Sequence, residues 1–141
     1  MIANRSIPRS TVIPELAYPD VQEAAAWLCR AFGFAERLRI ANHRVQLTFG
    51  DGAIVVTERR GDPPSRDSAG SDHSVLVRVA GVDAHCENAE RSGARILNPP
   101  TSHPYGERQY SAVDLGGHRW VFSESIADVD PADWGGVLLE A

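Results

Sequence analysis

The sequence predicts an α+β fold made of two copies of a strand–helix–strand–strand–strand unit. Three observations carry that expectation. Apolar patterns run strand, helix and three strands, then repeat after a polar interruption at residues 59–72. In each copy the helix opens on an aspartate and closes on a glycine, Asp20 with Gly33 and Asp83 with Gly93. The second copy ends in YGERQYSAVDLGGHRWVF, residues 105–122, where aromatic and β-branched segments flank a turn. A repeated unit that cannot bury its sheet alone packs on its twin, so one domain is expected over residues 1–141. Module one spans about 11–58, a linker 59–72, module two about 73–125, and a tail 126–141.

Residues 11–18 (TVIPELAY) read as the first strand, and Pro14 suits a position that needs no backbone donor. Asp20 and Glu23 make a capping box ahead of VQEAAAWLCRAF, where Val21, Ala24, Leu28 and Phe32 form an apolar stripe. Strands follow at 35–40, 44–49 and 53–58, joined by Asn42-His43 and Gly50-Asp51-Gly52. Residues 59–72 (RRGDPPSRDSAGSD) have linker composition. The second copy reads as a strand at 74–79, a helix with Asp83 as N-cap, a short strand at 94–97 and a loop at 98–106. A hairpin closes it, with strands at 108–113 and 118–122 around the turn Asp114-Leu115-Gly116-Gly117. In the tail, Asp130-Pro131 marks the start of a short turn or helix carrying Trp134.

Composition bounds the function. Hydrophobic content of 43% and charged content of 23% are globular values, and the net charge of -5 argues against a nucleic-acid partner. No apolar run approaches the roughly 20 residues of a membrane span. MIANRSIPRS has no signal-peptide core, so a cytoplasmic location is expected. Cys29 and Cys86 show no metal spacing and are expected as buried free thiols. All 14 basic residues are Arg, which removes Schiff-base lysine chemistry.

With Asp114 to Gly117 as the turn, Tyr110 lies across from Val121 and Ala112 across from Arg119. Alternation then collects Arg108, Tyr110, Ala112, Arg119, Val121 and Ser123 on one face, suited to the wall of a ligand cavity. Trp120 and Phe122 fall with His118 on the other, core face. Arg108 leads the candidates as a carboxylate or phosphate grip, a structural ion pair being its alternative role. Tyr110, Tyr105 and Trp134 offer aromatic surface, with sheet packing the alternative for Tyr110, and Arg119 and Arg78 extend the same wall. On module one, Gln46 and Thr48 make a polar face opposite Val45, Leu47 and Phe49, and Glu58 and Glu15 are the carboxylates placed near it. No Ser-His-Asp or Cys-His arrangement and no phosphate loop can be assembled, so no catalytic residue is assigned.

The opening VIPELAYPDVQEAAAWLCRAFGF and the closing D-x-x-G-H-x-W-x-F, Asp114 to Phe122, resemble the vicinal-oxygen-chelate superfamily of glyoxalase I, bleomycin-resistance proteins, epimerases and extradiol dioxygenases. The nearest similarity is to its PhnB-like, bleomycin-resistance-like branch. The resemblance implies a cupped mixed sheet with helices on its outer face, a homodimer and a small-molecule ligand. It also implies where the metal-dependent members carry ligands: near Ile13, at Val55 or Val56, at Ser74 with His73 beside it, and at Val121. These positions are mostly aliphatic, so no metal and no other cofactor is expected. The expected function is metal-independent binding of a planar or amphipathic compound such as an antibiotic. The alternative is a metal-independent lyase or isomerase of the same superfamily.

Overall fold

The structure, a computed structural model, describes residues 2–61 and 72–139. The chain divides into two compact units, residues 1–68 and 69–141. Each is built as expected from one strand, one helix and three strands. Most of the expected linker, residues 62–71, lies outside the described residues.

In module one, β1 (Glu15–Tyr18), β2 (Ala35–Ile40), β3 (Arg44–Phe49) and β4 (Gly52–Glu58) form a sheet of order β1-β4-β3-β2. β1 runs parallel to β4 and the other pairs are antiparallel. The first strand is shorter than expected because Pro14 has no N–H to enter a ladder, although its carbonyl accepts from Val55 N at 2.9 Å. Helix α1 (Val21–Phe32) starts on Asp20, whose carboxylate accepts from Glu23 N, and stops on Gly33 at φ +87°, where a side chain would be strained. The predicted stripe Val21, Ala24, Leu28 and Phe32 is buried. It faces the side of the sheet that carries Leu16, Tyr18, Val45, Leu47 and Val56. The opposite side, the open face, carries Glu15, Arg44, Gln46 and Val55.

Module two repeats the plan with β5 (Val75–Arg78), α2 (Val82–Arg91), β6 (Arg95–Ser102), β7 (Glu107–Val113) and β8 (Arg119–Ser125), in sheet order β5-β8-β7-β6. Two expectations are corrected here. Asp83 does not cap α2. Gly81 occupies the N-cap at φ +67°, and the carboxylate of Glu124 reaches over from β8 to accept from Gly81 N (2.9 Å) and Val82 N (3.1 Å). Those two backbone bonds hold the Glu124 carboxyl below the ordinary glutamate range. The stretch 98–102 is also not loop. β6 continues through Pro99-Pro100, which an edge strand tolerates because its outer side needs no donors, and its register with β7 shifts on both sides of Asn98.

Beyond β8, Asp130 caps a single 3-10 turn, Pro131–Trp134, as the sequence suggested. Both cysteines are free thiols; Cys86 is buried, Cys29 half-buried, and burial raises the pKa of each. No helix among the described residues is long and apolar enough to cross a membrane.

Candidate functional site

The β7–β8 hairpin decides which side chains meet on the open face of module two. Asp114 N donates to His118 O at 2.9 Å, so Asp114 and His118 are the last pair and the loop is only Leu115-Gly116-Gly117, with Gly117 at φ +87°. Tyr110 therefore pairs with Phe122, Ala112 with Trp120, Ser111 with Val121, and Gln109 with Ser123. The register is one residue from the expected one, and in a strand one residue exchanges the faces.

The reason is Asp114. Its Oδ1 accepts from Gly116 N and His118 N, both at 2.9 Å, and its Oδ2 accepts from the indole of Trp120 at 3.0 Å. An aspartate that bonds its own turn in this way belongs to the strand end rather than the turn centre. Trp120 and Phe122 are fully buried core residues, as expected.

Two candidates move to the helix side. Tyr110 is 1% exposed, stacks on Phe122 with centroids 5.1 Å apart, and its hydroxyl lies 2.5 Å from His85 Nδ1 of α2. Burial pushes that hydroxyl far above the usual phenol range. Its ring is thus core packing and offers no exposed stacking surface. Arg108 forms a forked ion pair with Asp83 of α2, its Nη2 lying 2.9 Å from Asp83 Oδ1, and that pair raises its own pKa.

The open face instead gathers Gln109, Ser111, Arg119 and Val121, joined by Asn98 and His103 around a cavity of about 420 Å³. Asn98 Nδ2 donates to Ser111 Oγ at 2.8 Å. A relay runs along the face. Tyr105 Oη donates to Gln109 Oε1 (3.1 Å), Gln109 Nε2 donates to Ser123 Oγ (3.1 Å), and Ser123 Oγ donates to Glu107 Oε1 (2.6 Å). The hydroxyls of Ser123 and Ser125 hold the Glu107 carboxyl below its ordinary range. Arg119 stands apart: its Nε is the one buried side-chain nitrogen or oxygen among the described residues without a hydrogen-bond partner. A guanidinium N–H left unpaired beside a cavity is a donor awaiting an acceptor.

An aromatic ladder starts at the cavity wall and runs away from it. His103, which lines it, stacks on Tyr105 at 5.0 Å and 1°, and Tyr105 meets Trp134 of the tail at 5.2 Å. Trp134 is 48% exposed. Gly106 fixes this arrangement. Its carbonyl accepts from Ile126 N (2.8 Å) and Ala127 N (3.3 Å), and a Cβ there would lie 2.4 Å from Ala127 O at φ +85°. Gly106→Ala therefore lifts the tail from Tyr105. The expected result is a Tm several degrees lower and loss of the Trp134 shielding seen by acrylamide quenching.

Of the expected site residues, Arg119 lines this cavity and the otherwise buried Tyr110 contributes to its wall, while Tyr105 and Trp134 are linked to it through His103. Gln46 lies on the open face of module one, 4% exposed. Glu58 does not: it pairs with Tyr18, which puts it on the helix side at an exposed strand end. Gln109, Ser111, Asn98 and His103 were missed. The first two alternate with Arg108 and Tyr110, and only the register tells the two sets apart.

The carried-over metal positions do not fit a divalent ion. Val55 and Val121 are in register with Glu15 and Leu76, so each module sets an aliphatic side chain where a donor is needed. His73 faces His118, at 6.4 Å between rings, and no group of three His, Cys, Asp or Glu side chains able to hold a metal occurs among the described residues.

The comparisons agree with this architecture. Nothing among curated proteins matches the sequence. TioX from Micromonospora sp. ML1 is 38% identical, the match covering 82% of this chain and 98% of that one with a TM-score of 0.66. A glyoxalase/bleomycin resistance protein/dioxygenase family enzyme from Burkholderia phytofirmans PsJN is 15% identical over 80% of this chain and 96% of its own, TM-score 0.63. A glyoxalase-related enzyme from Fulvimarina pelagi is 15% identical over 82% and 88%, TM-score 0.62. The last two share the fold alone. The family model of these proteins matches residues 11–122, and the chain belongs to the Glyoxalase/Bleomycin resistance protein/Dioxygenase superfamily.

Proposed function

We propose that this protein is a metal-independent binder of a small, planar compound carrying a carboxylate or a similar acceptor, held on the open face of module two. The observation that carries the reading is the Arg119 guanidinium in the wall of the cavity. An acceptor on the ligand satisfies it by a charge-assisted bond. Gln109, Asn98 and Ser111 supply further polar anchors, Val121 and Pro99 supply apolar surface, and the ladder of His103, Tyr105 and Trp134 supplies a stacking edge. The lining contains His103 but no carboxylate to orient it. Membership of a superfamily that includes bleomycin-resistance proteins supports sequestration of an antibiotic as the use of such a site. A homodimer, implied by the same resemblance, and a cytoplasmic location are part of the proposal, with light scattering expected to return twice the chain mass.

The test is titration with 2-naphthoate, followed by calorimetry and by quenching of the exposed Trp134, with the probe recovered and analysed afterwards. Saturable binding of unchanged probe supports the reading. Absence of saturable binding for 2-naphthoate and for naphthyl phosphate sinks it, and chemical conversion of the probe replaces it with a lyase or isomerase.

A further inference from the structure

We propose that Trp134, in the tail, is a positioning residue of the module-two site, acting through Tyr105 to hold the His103 and Gln109 side chains of the cavity wall. The proposal rests on that site as read above. The family match ends at residue 122, so the tail lies beyond the matched part of the chain. The wall needs outside support because β6 is loosely held. Asn98, Pro99 and Thr101 of β6, and His103 just after it, line the cavity. Yet β6 is an edge strand, its register with β7 shifts on both sides of Asn98, and Pro99 and Pro100 bring no N–H to the ladder. Past Ser102 the chain turns tightly into β7. Gly106 N donates to His103 O at 3.1 Å, and His103 N donates to Glu107 O at 2.8 Å. Tyr105 sits at the tip of this turn.

The tail grips that tip twice. Its backbone binds Gly106 O through Ile126 N and Ala127 N, and its Trp134 ring meets Tyr105 at 5.2 Å. Trp134 is itself preset by a self-contained turn. Asp130 Oδ1 accepts from Ala132 N at 3.1 Å, Gly136 N donates to Pro131 O at 2.7 Å, and Gly135 takes φ +93°. Tyr105 passes the constraint on in two directions. Its ring lies parallel to that of His103, at 1° and 5.0 Å, and its hydroxyl donates to Gln109 Oε1 at 3.1 Å. His103 and Gln109 line the cavity, and Tyr105 and Trp134 stand behind them. Side chains held in place before a ligand arrives need less ordering when it binds, so the tail contributes to affinity without touching the ligand.

The experiment compares the full-length wild type, Trp134→Ala and Trp134→Phe. Ligand-free protein comes first, with the imidazole resonances of His103 and the side-chain amide resonances of Gln109 assigned in each. Affinity for 2-naphthoate then follows by calorimetry. Trp134→Ala is expected to shift both sets of resonances and to weaken 2-naphthoate about three- to tenfold, the scale of one lost aromatic contact. Trp134→Phe, which keeps a ring against Tyr105, restores most of both. In a Tyr105→Leu background, Trp134→Ala has no further effect on either side chain, because the path runs through Tyr105. Unchanged His103 and Gln109 resonances in Trp134→Ala overturn the proposal, as does a Trp134→Ala effect that persists in full without Tyr105. A wild type that ignores 2-naphthoate counts against the site itself, while the ligand-free resonances still decide the role of Trp134.

Discussion

Arg119→Ala lowers affinity for 2-naphthoate about ten- to a hundredfold, whereas Arg108→Ala leaves it unchanged. A hydrogen bond to a charged partner contributes about 1.5–3 kcal/mol, and about 1.4 kcal/mol is a factor of ten in affinity. The Arg119 guanidinium lines the cavity, so loss of its bond to a ligand should appear as affinity. Arg108 differs in both respects. It lies on the helix side and is already paired with Asp83, and as an exposed pair it adds little to stability. Arg119→Lys separates charge from geometry: a lysine keeps the cation but loses the fixed fork, so affinity should be recovered only in part. Calorimetry on the three variants, with circular dichroism to confirm folding, checks the whole set. A normal affinity for Arg119→Ala would move the site away from this cavity.

Asp114→Ala destabilises the protein by about 3 kcal/mol, with a Tm roughly 10 °C lower, and weakens ligand binding through Arg119. The buried carboxylate accepts from two loop N–H groups and from the indole of a fully buried tryptophan, and alanine removes all three hydrogen bonds together. The loss is larger than that of a surface turn residue because Trp120 has no exposed surface through which its N–H could reach water. Asp114→Asn should fall between the two, since its amide keeps one oxygen for the loop. Arg119 sits between His118 and Trp120, so loosening this turn also moves the cation. The indole N–H resonance of Trp120 reports the lost bond directly. An unchanged resonance and Tm would show that Asp114 does not set the register.

Much of the architecture was legible from residue order. Asp20 with Glu23, the 3.6-residue stripe of α1 and Gly33 mark a helix and both its ends by local chemistry alone. The alternation in β3 separated Gln46 from Val45 and Leu47 correctly, because a strand side chain's face depends only on its parity. Asp130-Pro131 marked the tail turn for the same local reason. The paired modules and their resemblance to the superfamily rest on this order of elements, which survives changes in register.

What only the tertiary structure decided is how strands and segments meet. Asp114-Leu115-Gly116-Gly117 can be written as a four-residue turn or as a strand end followed by a three-residue loop. The choice is made by the buried indole of Trp120, which draws Asp114 out of the turn. That single step put Gln109 and Ser111, rather than Arg108 and Tyr110, on the face with Arg119. Pro99-Pro100 reads as loop until the edge position of β6 removes the need for donors. The contacts of Arg37 with Arg5 and of Gln46 with Ser6 have no signature, because the accepting atoms are backbone carbonyls that every sequence carries. Local chemistry determined the elements and their ends. The buried bond from Trp120 to Asp114 and the strand pairing it sets decided which side chains share a face, and with them the site.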